Sequence, residues 1–245
     1  MEIPLYFYMA YKDLDRLSPG SNDTTLEALD KLDLDAGGEL NILDIACGVG
    51  SSTILLANYF NNSIVEGFDL FNHYKESLDE KINENNLQDR VFSYTMNMND
   101  PDFANEEFDL VFCEASIEIM GFKRGLAEWR RLLKPNGYMV VSDISWLKNP
   151  SSESRKFWKD IYSEIDSIET KIQQIEAEKF EFIDYVTVPK EDWNNYHNQL
   201  EKNLNSLSSD KSAKDFVKQL KKEIETYRRN SDDYSYVFYI MKMVE

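Results

Sequence analysis

Between residues 40 and 144 short apolar runs alternate with amphipathic stretches of roughly 10–15 residues, and few folds accommodate that alternation. The apolar runs fall at residues 40–46, 63–68, 91–96, 108–113 and 138–144. They suit strands buried on both faces of a sheet better than half-exposed ones. In the intervals apolar side chains return at helical spacing. Residues 51–60 form one such stretch, Tyr74, Leu78 and Ile82 share one face of the next, and Leu126, Trp129, Leu132 and Leu133 turn inward on another. The last of these helices is expected to stop at Lys134-Pro135-Asn136-Gly137. Strand–helix–strand units with right-handed crossovers make a parallel sheet covered on both sides, so the expected class is α/β, a Rossmann-like doubly wound sheet.

The flanks read differently. Residues 1–38 look like a leader packed on a main domain of residues 39–245. Ser18-Pro19-Gly20-Ser21 makes a turn, a helical pattern follows through Leu26, Leu29 and Leu32, and Gly37-Gly38 breaks the chain. After the fifth strand, residues 152–178 read as one long helix. Trp158, Ile161, Ile165, Ile168, Ile172 and Ile175 repeat every three or four residues in a narrow seam. Such a seam packs on its own sheet or cap, or pairs with a second copy, giving a monomer or a homodimer. A sixth strand is expected at 180–188, closed by Pro189, and a last one at 234–244. Two helical patterns lie between them, one through Trp193, Tyr196, Leu200 and Leu204, the other through Phe216, Leu220, Ile224 and Tyr227. Helical cap elements are thus expected at 151–178 and 190–230.

With 42% hydrophobic residues and 14 Phe plus 14 Tyr, the 245-residue chain can fill one large core. Its net charge of -18, with Lys and Arg interspersed among acids, argues against nucleic acid, since phosphate neutralisation needs a concentrated basic face. The surplus acid serves solubility or an acidic milieu; attraction of a cationic substrate is the sharper reading. Cys47, Cys113, His73 and His197 are too few and too scattered for a disulfide framework or a metal site. No apolar run reaches the roughly 20 residues that span a bilayer, and no basic stretch precedes an apolar core near Met1, so a cytoplasmic protein without membrane contact is expected.

The most informative segment is Asn41-Ile42-Leu43-Asp44-Ile45-Ala46-Cys47-Gly48-Val49-Gly50, a buried strand running through a glycine turn into a helix. Gly48 and Gly50 let the backbone bend and let a ligand approach the main chain. The helix start offers unpaired N–H groups to a carboxylate, and Asp44 is positioned to fix the turn or to bind an ammonium through water. A dinucleotide fingerprint would need a third glycine, but Thr53 stands there. The next strand ends bear on the choice. Asp69, followed by Leu70, lies 19 residues after Gly50 (50 to 69), where a carboxylate accepts both hydroxyls of a ribose. Asn97-Met98 ends the third strand, where an amide and a main-chain N–H can read an adenine edge. Singly, Asp69 reads equally well as a helix cap and Asn97 as a turn former.

Asp44-Ile45-Ala46-Cys47-Gly48-Val49-Gly50 resembles motif I of the class I methyltransferases, with Ala46 where many members have glycine and Asn97 where they often have Asp. Phe108-Asp109-Leu110-Val111 and Leu133-Lys134-Pro135-Asn136-Gly137-Tyr138 are similar to the family's fourth-strand and pre-fifth-strand motifs. Three further segments extend the likeness: Arg16-Leu17-Ser18-Pro19-Gly20-Ser21, Glu114-Ala115-Ser116-Ile117 with Gly121-Phe122, and Glu128-Trp129-Arg130-Arg131. They resemble a bacterial and archaeal group of small methyltransferases related to the ubiquinone/menaquinone-biosynthesis type. The resemblance implies a seven-stranded sheet with its last strand antiparallel, an N-terminal helical lid and helical insertions near the C-terminus. It implies S-adenosylmethionine as cofactor, with Arg16 and Gly20 near its methionine end. The implied contacts are Asp44, Ala46, Gly48, Gly50, Asp69, Leu70, Asn97, Met98 and Glu114. The expected activity is methyl transfer to a small-molecule acceptor; cofactor binding without catalysis and a protein methyltransferase are the alternatives. No general base is identified. Glu118 is the weak candidate, with Tyr11, His73 and Trp146 near the expected mouth and Trp193 and Tyr196 as core or lining.

Overall fold

A computed structural model describes residues 3–244; Met1 and Glu2 of the expected leader, and Glu245 of the expected domain, lie outside the described residues. Its strands are β1 (Asn41–Ile45), β2 (Ile64–Asp69), β3 (Val91–Thr95), β4 (Phe108–Cys113), β5 (Leu133–Trp146), β6 (Asp166–Ser167), β7 (Phe180–Thr187) and β8 (Tyr234–Met243). Seven of them lie in the order β3-β2-β1-β4-β5-β8-β7, and the two-residue β6 pairs with the end of β5. Strands β1 to β5 pair in parallel, whereas β8 runs antiparallel between β5 and β7. The last strand is therefore the antiparallel one, as the resemblance implies. The chain winds outward from β1 in both directions, which opens a crevice at the carboxyl ends of β1 and β4.

The helices are α1 (Leu5–Ala10), α2 (Asn22–Leu29), α3 (Ser51–Tyr59), α4 (Asn72–Glu84), α5 (Phe122–Trp129), α6 (Ser152–Lys159), α7 (Ile168–Ala177), α8 (Lys190–Ser206) and α9 (Lys214–Asn230). Alternate strand residues feed two cores. Ile42, Leu110, Phe112, Val140 and Phe238 pack on one face against Leu56, Phe60, Leu78 and Trp158. Leu43, Val111, Val141 and Val237 pack on the other against Phe122, Leu126, Trp129 and Ile175. Each such side chain, taken fully from water, contributes about 1.5–3 kcal/mol. A third cluster joins Ala10 and Leu14 of the leader to Leu200, Leu204, Leu220 and Ile224, so α1 rides on the pair α8 and α9.

Two expectations fail. Residues 152–178 are not one helix: α6 ends at Lys159, the chain crosses over β6, and Ser167 starts α7 by accepting from the Thr170 N–H at 3.2 Å. The apolar spacing that read as one seam is divided between both sheet faces. Trp158, Tyr162 and Ile165 join the first core and Ile168, Ile172 and Ile175 the second, while Ile161 is 49% exposed. The Lys134–Gly137 segment does not end a helix either. Helix α5 stops at Trp129, a single 3-10 turn covers Arg130–Leu132, and Leu133 is already extended and paired with Phe108. Lys134 to Gly137 instead form the irregular entry to β5, where Asn136 takes a φ of 63°.

Candidate active site

The turn after β1 needs three successive departures from ordinary backbone: Ala46, Gly48 and Gly50 have φ of 56°, 54° and 83°. Hydrogen bonds to the neighbouring strand hold it. The Cys47 N–H donates to the Phe68 carbonyl at 2.9 Å, and the Gly48 N–H donates to Asp69 Oδ2 at 3.1 Å. Asp69 Oδ1 accepts from the Phe71 N–H at 3.1 Å, so this one carboxylate ties the turn to the start of α4. Burial raises the Asp69 pKa, and the main-chain N–H donors at Phe71 and Gly48 partly offset that. A Cβ at Gly50 would lie 2.6 Å from Leu78 Cδ1, so glycine there lets α4 approach the turn from below. Gly50 caps α3 without a side-chain hydrogen bond, leaving the first-turn N–H groups of α3 free beside Ser51 and Ser52.

Asp44, 1% exposed at the end of β1, accepts the Thr53 hydroxyl at 2.6 Å. Burial pushes its carboxyl up to about 7 despite that bond, and the nearby Glu114 adds to the rise. Glu114 follows β4 and meets the leader. Arg16 donates to Glu114 Oε2 at 2.5 Å and to Ser52 Oγ at 3.0 Å, and the Ser52 hydroxyl donates to the same Glu114 oxygen at 2.6 Å. Glu114 Oε1 is buried without a partner. At the end of β3, Asn97 Oδ1 accepts from the Asn99 main-chain and side-chain N–H groups at 3.0 and 2.9 Å, which leaves the Asn97 NH2 free. The Met98 carbonyl accepts the Trp129 indole N–H at 3.0 Å.

These groups converge on one cavity of about 380 Å³ at the carboxyl rim of the sheet. Arg16, Asp44, Ala46, Gly48, Asp69, Leu70, Asn97, Met98 and Glu114 all line it, and so do Phe7, Tyr11, Tyr74 and Ile119. Of the expected cofactor contacts and the candidate base, Gly20, Gly50 and Glu118 do not, and neither do His73 and Trp146 of the expected mouth, Trp146 packing edge-on to Tyr234 instead. Gly20 sits behind Glu114, where a Cβ would come within 2.5 Å of Oε1, so glycine there lets the leader close over that carboxylate. Gly50 lies beneath the turn, and Glu118 faces away toward β8, where the Tyr236 hydroxyl donates to its Oε1 at 2.8 Å. Burial, reinforced by Asp143, pushes Glu118 up to about 7, and its Oε2 has no partner. Trp193 is core, stacked on Tyr227 at 4.1 Å, and Tyr196 donates to the Leu17 carbonyl at 3.2 Å. His73 opens α4 edge-on to Tyr8, 4.4 Å between rings. The sequence reading missed the hydroxyls of Ser52 and Thr53. Their side chains carry no ligand signature; only the fold brings them against Glu114 and Asp44.

Comparison with known proteins agrees with this arrangement. Residues 42–137 match the methyltransferase domain family, and that match spans β1 to the entry of β5. Over those residues the chain is similar to methyltransferase domains. A solved methyltransferase from Thiobacillus denitrificans, in complex with S-adenosyl-L-homocysteine, shares the fold of that domain with a TM-score of 0.83 at 17% identity, over 100% of both chains. Among sequence relatives, an uncharacterised Haemophilus influenzae protein is 31% identical over 58% of this chain and 57% of its own length. Methyltransferase GfsG of Streptomyces halstedii is 28% identical over 54% of this chain and 46% of its own. The chain thus spans about half the length of these relatives. Among the described residues no helix is long and apolar enough to cross a membrane.

Proposed function

We propose that the methyltransferase domain binds S-adenosylmethionine in the cavity of about 380 Å³ and passes its methyl group to a small-molecule acceptor. The observation that carries this reading is the convergence of Asp44, Asp69, Asn97 and Glu114 from four strand ends on that one space. The cofactor's three polar regions find matching groups there. The partnerless Glu114 Oε1 and the strained, buried Asp44 offer negative charge to the methionyl ammonium. The free N–H groups of α3 suit its carboxylate. Asp69 keeps unused lone pairs for the ribose hydroxyls, and the free Asn97 NH2 beside Met98 donates to adenine ring nitrogens.

The bound cofactor supplies an electrophilic methyl on a sulfonium. The chain supplies alignment: Arg16, clamped to Glu114, closes the leader over the site and excludes water, and orientation of the reactants is worth roughly 7–11 kcal/mol in such reactions. The leader, residues 3–38, acts as the lid of a domain formed by residues 39–244. The leader motif supports placing the chain in the bacterial and archaeal group of small methyltransferases related to the ubiquinone/menaquinone-biosynthesis type, acting in the cytoplasm. The test is incubation with methyl-labelled cofactor and a small-molecule cell extract, followed by mass spectrometry. A labelled small molecule is the expected result; label on protein alone, or none, overturns the reading.

A further inference from the structure

Helix α3 starts beside a cation rather than an acid. Its first turn holds no acidic residue, and its cap makes no side-chain hydrogen bond. Lys81 belongs to the last turn of α4, whose negative end favours a cation, but its side chain reaches across to α3 and donates to Ser51 Oγ at 2.7 Å. The positive end of a helix favours acids, so an ammonium there is out of place. Acids are plentiful, 45 against 27 basic residues, yet Lys81 makes no ion pair among the described residues, and its ammonium has no other hydrogen bond. Burial lowers its pKa, and Arg16 adds to that against the opposing charges of Asp15 and Glu84.

Ser51 links that ammonium to the cofactor cavity. It lines that cavity and also a second one of about 530 Å³, which shares Asp15, Arg16 and Ser18 with the first. Lys81 lines only the second. An ammonium can only donate, so Ser51 Oγ accepts from Lys81 and keeps its one hydrogen for the Asp15 carbonyl, to which it donates. The next leader residues are tied elsewhere. Arg16 donates to Ser52 and Glu114, and the Leu17 carbonyl accepts from Tyr196 at 3.2 Å. Lys81 therefore backs the first of three successive ties that hold the leader against the rim.

We propose that Lys81 is a positioning residue for the amino-acid end of the cofactor and that it acts through Ser51. The inference rests on the cofactor reading above. The Lys81–Ser51–Asp15 relay holds the leader beside the first turn of α3. The ammonium also adds positive charge behind the N–H groups of that turn, which receive the cofactor carboxylate. A bound carboxylate offsets charge that the protein itself leaves unpaired. The adenosyl part, assigned to Asp69 and Asn97 at the ends of β2 and β3, draws on neither effect.

5′-Methylthioadenosine carries the adenosyl thioether without the amino-acid end, so it separates this role from a general loss of structure. By calorimetry, Lys81→Met and Ser51→Ala should each weaken S-adenosylhomocysteine binding about five- to twentyfold and methylthioadenosine binding less than about twofold. The double variant should bind no more weakly than the weaker single one, because both substitutions break the same relay. Equal losses for the two ligands, no loss for S-adenosylhomocysteine, or additive losses in the double variant overturns the proposal. Ser51→Ala alone carries the ligand comparison if Lys81→Met does not fold. Failure of wild type to bind either ligand would instead overturn the cofactor reading beneath it.

Discussion

Asp44→Asn should stabilise the ligand-free protein at high pH and weaken it as a cofactor binder. The Asp44 carboxyl is 1% exposed, and burial moves its pKa from 3.8 to about 7. Between those values the native state keeps a proton that the unfolded chain has released, so this group's contribution to stability declines as pH rises from about 4 to about 7. Above that window the folded protein carries a buried charge that costs at most about 4 kcal/mol, at 1.36 kcal/mol for each tenfold change in acidity. The amide retains the bond from Thr53 and removes the charge. Urea unfolding of ligand-free protein should show the variant level with wild type near pH 4 and more stable by about 1–4 kcal/mol at pH 8. Its affinity for S-adenosylhomocysteine should drop by about 10- to 100-fold, because a charge-assisted bond to the ligand ammonium is lost. A variant no more stable than wild type at pH 8, or one that binds the ligand equally well, would refute the argument that a strained carboxylate is held for a cation.

Three other perturbations test neighbouring parts of the structure. Arg16→Ala removes the clamp on Glu114 and Ser52, so S-adenosylhomocysteine should bind more weakly and no longer shield the leader from limited proteolysis; full protection would end the lid assignment. Lys171→Met leaves Asp143 buried with only the Tyr162 hydroxyl and should cost about 3–5 kcal/mol in denaturant unfolding, whereas a loss under about 1 kcal/mol would contradict the paired-charge account. Gly50→Ala combines a φ of 83° with a Cβ 2.6 Å from Leu78 Cδ1, and should lower stability by roughly 1–3 kcal/mol on the same assay; an unchanged midpoint would show that the turn relaxes freely.

The sheet was legible because its signals are local. Each parallel strand is a short apolar run between glycine turns or helices, and the rim residues Asp44, Asp69 and Asn97 stand at strand ends that the pattern itself locates. Residues 152–178 misled because apolar spacing reports that side chains are buried, not which core receives them; Ser167, a helix-starting serine inside the run, was the overlooked break. Gly20 was noticed for its motif, but its role as clearance for the Glu114 carboxylate needed coordinates.

The whole reading turns on whether the rim of β1, β2, β3 and β4 grips an adenosyl ligand. Calorimetric titration of S-adenosylhomocysteine into wild type and Asp69→Ala is the most direct test. The expected outcome is one saturable site per chain in wild type and roughly 10- to 100-fold weaker binding in the variant, as two ribose hydroxyls lose a charged acceptor. Heats of dilution alone in wild type, or matching affinities for the two proteins, would contradict it.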